Sequence, residues 1–203
     1  GEVPRTLTDD TPFASACAMR IRMMALVLLA AGCARGPKTP EQAFRQVERA
    51  VAAGDAAAIY KVLDEPTRWS IQSTLQNQRL MRTHLTAPSP AAEAQKALAT
   101  LRAAEEADPA QYFKRVNDER HVVEAFRKRL GSVSGPIKAK IDGADAVWVA
   151  RQDGMPFHFA KNRDGSWGWS ELRGDWELEK DRAQHAVKTV QDNAKLYQKA
   201  EGQ

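Results

Sequence analysis

Asp-Gly recurs at 142–143, 153–154 and 164–165, eleven residues apart each time. Glycine takes up the positive φ angles of tight hairpins at no steric cost, and aspartate tolerates them better than most residues. Between and around the pairs lie PIKAKI, ADAVWVARQ, MPFHFAKN and SWGWSEL, which alternate in polarity or are rich in β-branched and aromatic residues. Turns at that interval leave room for strands, so the pattern predicts a four-stranded antiparallel meander over residues 136–173. The segments share nothing beyond strand and turn, so a true sequence repeat is not indicated.

Upstream the hydrophobic period changes to that of helices. TPEQ offers Thr39 as N-cap, Pro40 at the first helical position and Gln42 to complete a capping box. Phe44, Val47 and Val51 then point one way until Gly54 stops the helix. Asp55 can cap a second helix with Ile59, Val62 and Leu63 inward, ended by Pro66. A third is expected over Thr67–Leu85, followed by a break at APSP (87–90) and an alanine-rich stretch over 91–107 carrying Ala94, Leu98 and Leu101. One long helix is expected from Pro109 to Leu130, with Tyr112, Val116, Val123 and Phe126 inward and Gly131 closing it. After Gly174 breaks the last strand, Ala183, Val187, Val190, Ala194 and Tyr197 mark one face of a terminal helix over 175–200. Together these predict a single α+β domain over 39–203: helices over 39–131, the meander, and a C-terminal helix.

The N-terminal region reads differently. In MRIRMMALVLLAAGC, Arg20 and Arg22 precede nine apolar residues, Met23 to Ala31, and Gly32 gives a small residue before Cys33. A run that short cannot cross a hydrocarbon core of ~20 residues' length, but it has the parts of an export signal. Its ending, LAAGC, resembles the lipobox of bacterial lipoproteins, with Ala30 where leucine is commoner. The resemblance implies a signal peptide over 19–32, cleavage before Cys33, attachment of a diacylglycerol to that thiol, and a tether over 33–38. Two acyl chains suffice for stable membrane anchoring. Ala34 stands where aspartate acts as an inner-membrane retention cue in some bacteria, so the outer membrane is the expected location. Residues 1–18 fit no part of this pattern and are expected to be a non-native or misassigned upstream extension, or the mark of a fragment, with Cys17 carrying no role.

TPEQAFRQVERAVAAGDAAAIYKVLDEPTR (39–68) is similar to the opening of nuclear transport factor 2-like domains: a helix, a Gly-Asp step and a second helix ending in a Leu-Asp segment. That resemblance implies a sheet curved into a cone around a pocket. Some relatives are isomerases or dehydratases using Asp/His pairs in the cone, though no motif here carries such residues across. The helices over 67–130 and the helical C-terminus depart from the family's pattern.

Charge and composition narrow the chemistry. Lys plus Arg number 30 against 26 Asp plus Glu, a net +4, with both signs interleaved rather than gathered into a nucleic-acid-binding stripe. No cysteine follows Cys33, so the domain holds no disulfide and no thiolate metal site. HVVE sets His121 and Glu124 on one helical face, a pattern read as a surface ion pair rather than half of a metal site. RKR at 127–129 suits a helix C-terminus. No metal, cofactor, nucleic-acid or nucleophile signature occurs. Trp148, Phe157, Phe159, Trp167 and Trp169 are placed by strand alternation on one sheet face, as plain core or as a pocket for a small apolar ligand, with His158 and Glu171 nearby. The expectation is a lipid-anchored envelope protein, binding or scaffolding without catalysis and partnered by the membrane and by an envelope protein or small ligand. The alternatives are an enzyme in the cone or an interaction protein using the helices over 91–130.

Overall fold

The computed structural model describes residues 36–85, 96, 98–99, 101, 107–131, 137–142, 146–151 and 156–201. Residues 1–35, with the expected upstream extension, the expected signal peptide and Cys33, lie outside the described residues, as do the APSP break and the Asp-Gly at 153–154. Pro37–Gln203 forms one compact unit.

Helix α1 (Pro40–Ala53) is written by its ends. Thr39 Oγ1 accepts the Gln42 N–H at 3.2 Å, while Gln42 Oε1 accepts the Lys38 N–H at 2.9 Å. At the other end Gly54 takes φ 66° and donates its N–H to Ala50 and Val51. Asp55 caps α2 (Ala56–Val62), and Leu63 then turns extended.

Pro66 does not end a helix. It sits in the first turn of α3 (Glu65–Leu85), where its missing N–H would have no partner in any case. Asp64 Oδ1 caps that turn by accepting the Thr67 N–H at 3.1 Å. The expected single helix from Pro109 is likewise two, α4 (Pro109–Arg120) and α5 (Val122–Gly131), parted by His121 at φ 54°. The left-handed His121 donates its N–H to Asn117 and Asp118, a C-cap of the kind usually filled by glycine.

Strands β1 (Ile137–Asp142), β2 (Ala146–Arg151), β3 (Phe157–Lys161) and β4 (Trp167–Trp169) lie in chain order, each antiparallel to the next. This sheet is a minor layer, and β4 has only 3 residues. The body is mostly helical, which corrects the expected α+β fold organised on its meander. The cone is corrected with it. Phe44 of α1 and Phe126 of α5 fill the sheet face that would have lined it, with ring centroids 5.2 Å from Phe157 and 4.4 Å from Trp169.

The outer edge of β4 is covered by chain that arrives from elsewhere. Trp167 donates its N–H to Pro37 O at 2.8 Å, and Trp169 O accepts the Asp64 N–H at 3.0 Å. Covering an edge in this way removes a template for unwanted pairing. Helix α6 (Arg173–Glu201) starts two residues earlier than expected and takes Gly174 into its first turn. It runs alongside α3 in the same direction: Arg173 meets Asp64, Lys180 meets Trp69 and Gln191 meets His84 in step. Trp176 anchors its start, 6.0 Å from both Tyr112 and Phe113.

Candidate functional site

Phe157, Phe159 and Trp169 are each 1 % exposed and form core rather than the wall of an opening. Trp167 packs partly buried at the margin of that cluster. In the backbone register Trp148 pairs with His158, while Phe159 pairs with Trp169. Sequence alternation fixes faces within a strand, but a shift of one residue between strands reverses which rows meet.

Arg129 and Glu171 serve this core rather than a ligand. They form an ion pair, and the Arg129 guanidinium lies 4.4 Å from the Phe157 ring centroid while donating to Pro156 O at 2.6 Å. Arg127 donates to Val51 O at 3.2 Å, so the RKR run ties α5 to α1 through Arg127 and to the strand region through Arg129. His121 and Glu124 stand 3.6 Å apart with side chains 78 % and 70 % exposed, a surface pair. Among the described residues no three His, Cys, Asp or Glu side chains gather to hold a metal.

The strongest candidate for binding is a half-open cleft of about 640 Å³ lined by Tyr60, Glu65, Pro66, Arg68, Trp69, Gln72, Lys161, Asn162 and Arg163. Three segments build it: α2 supplies Tyr60, the first two turns of α3 one wall, and the β3–β4 turn the other. That turn is internally braced. Gly165, at φ 77°, donates its N–H to Asn162 O at 2.9 Å, and Asn162 N–H donates to Ser166 O at 2.7 Å. Asp164 Oδ1 accepts both the N–H and the hydroxyl of Ser166, which hold its carboxyl below the usual carboxylate range. Asn162 Oδ1 accepts the Glu65 N–H at 2.7 Å, fastening the turn to the start of α3.

The lining carries three cations, Arg68, Lys161 and Arg163, against the single carboxylate of Glu65. Glu65 lies 3.8 Å from Arg163 Nε, and Arg163 is itself 93 % exposed, a loose pairing that leaves the cleft cationic. Trp69 is 56 % exposed, an unusual position for the largest apolar side chain, with Lys180 Nζ 5.0 Å from its ring centroid. Among the described residues no histidine, cysteine or serine lines the cleft. Burial raises the Tyr60 phenol above its ordinary pKa, with the Gln72 hydrogen bond acting the other way, so near neutrality it stays protonated. The arrangement can hold an anion beside a flat apolar surface.

Sequence reasoning missed this cleft because its parts lie about a hundred residues apart. One local signal was present. At 100° per residue Trp69 sits ~200° around the helix from the buried Ile71, on the face that should be polar. No known protein family, characterised protein or solved structure matches the chain.

Proposed function

We propose that this chain is a lipid-anchored protein of the bacterial cell envelope, whose folded body binds an anionic partner through the Trp69 cleft without catalysis. The observation that carries the reading is the join between leader and body. Pro37 is already bonded to β4, four residues after the cysteine that ends the charged, apolar and small-residue series. An anchor at Cys33 would therefore hold the body on a very short tether. Ala34 favours the outer membrane over the inner one. The cationic lining, with Trp69 exposed beside it, supports binding of an anion.

The test is the intact mass of the protein purified from its native membranes. The expected mass lacks the residues before Cys33 and carries the added mass of two or three acyl chains. A chain that retains residues 19–32 and a Cys33 thiol open to alkylation would overturn the reading.

A further inference from the structure

We infer that the face bearing the Trp69 cleft docks onto the anionic headgroups of the same bilayer that holds Cys33, fixing the orientation of the body on the membrane. Nearness to the bilayer rests on the anchor reading above, while the chemistry of the face stands on its own residues.

The tether sets the distance. From Pro37 back to Cys33 is four residues, at most about 14 Å of chain. Pro37 is bonded to Trp167, and Trp167 pairs directly across the sheet with Lys161. Lys161 therefore stands about two strand spacings, ~10 Å, from the fixed end of the tether. Arg163 follows two residues later in the braced turn, and Arg68 and Trp69 form the opposite wall. An anchored chain cannot carry this face far from lipid.

The residue types suit that neighbour. Tryptophan is favoured at the headgroup level, where an amphipathic ring is wetted on one side. Exposed Lys161 and Arg163, with half-buried Arg68 behind them, are drawn to an anionic leaflet. Each such cation contributes about fivefold to the docked population, the Boltzmann factor of one charge near the surface. A rigid turn carrying two of them loses little freedom on docking.

The experiment uses the native protein with excess vesicles of phosphatidylcholine, with or without phosphatidylglycerol, whose acyl chains are brominated near the headgroup. The chain has 5 tryptophans, so Trp69 is read as the difference between the wild type and Trp69→Phe. Quenching of that difference signal is expected with phosphatidylglycerol and not with phosphatidylcholine alone. Lys161→Gln/Arg163→Gln should lower the ratio of docked to undocked protein on the order of 25-fold. Both sites are exposed, and unchanged circular dichroism checks that each variant folds. Equal quenching in the two lipids, none in either, or no effect of the double substitution would each overturn docking. So would a Trp69 response to inorganic phosphate in solution but not to vesicles, which would assign the cleft to a soluble anion. Because vesicles are in excess, these outcomes hold whether or not Cys33 is acylated, and the intact mass of the same sample judges the anchor separately.

Discussion

Arg173 places its Nε 2.8 Å from Oδ2 of Asp64, 109 residues earlier in the chain, and its Nη2 shares the same oxygen. Asp64 is fully buried, and its other carboxylate oxygen caps α3 while its N–H bonds Trp169. One residue thus joins the starts of α3 and α6 to the edge of β4. Asp64→Ala should cost about 2–3 kcal/mol, a lost cap and a charge-assisted hydrogen bond together, since the Arg173 left behind still reaches solvent. Asp64→Asn, which keeps the shape and a capping oxygen, should cost less. Urea denaturation of the two variants, compared at constant m, checks the order.

Gly168 lies against the same residue. A Cβ there would stand 2.4 Å from Asp64 Cα and 2.7 Å from its nitrogen, far inside normal contact. Both obstacles are backbone, so they cannot swing aside. Gly168→Ala should therefore lower stability by about 3 kcal/mol, the upper end for overpacking. It should also speed hydrogen exchange at the Asp64 amide, whose bond to Trp169 O the displacement would break.

Two helix ends predict opposite signs. Gly54 and His121 both occupy left-handed backbone, at φ 66° and 54°. A side chain there costs about 1–2 kcal/mol, so Gly54→Ala should destabilise by roughly that amount. His121→Gly should stabilise by about 0.5 kcal/mol, after glycine's greater freedom in the unfolded chain is offset. Thermal melts of the pair give both signs in one series.

Tyr60 and Tyr112 are both pushed above the ordinary tyrosine pKa, chiefly by burial. The folded state thus prefers the neutral phenol more than the unfolded chain does. The stability they contribute is intact below about pH 10, the unfolded value, and is lost as pH rises through the higher folded values. In an alkaline titration followed by phenolate absorbance, Tyr60 and Tyr112 should ionise late, and Tyr60→Phe or Tyr112→Phe should each remove one late step.

What could be read from sequence was what neighbouring residues decide. Thr39, Pro40, Gln42 and Gly54 bound α1 because each acts on backbone within four residues of itself. Pro66 misled because proline ends one helix or opens the next with the same locked φ, and the choice was made by Asp64, held by distant Arg173 and Trp169. The break at His121 was hidden because apolar residues continue at helical spacing on both sides of it. The cone expected around the strands was lost to Phe44 and Phe126, whose claim on that face depends on packing across the whole body. The cleft escaped for a similar reason, since Lys161 and Trp69 meet only after β4 is bordered by the chain before α1 and the chain before α3.

That border also decides how a pull along the backbone enters the protein. Tension arriving through residue 36 reaches the bond between Pro37 and Trp167 first, 2.8 Å long and at the rim of the sheet. If that bond gives way, slack is released one residue at a time up to the Thr39 cap while the aromatic interior stays undisturbed. The bond at the sheet's rim thus acts as a mechanical fuse, yielding before any load reaches the core.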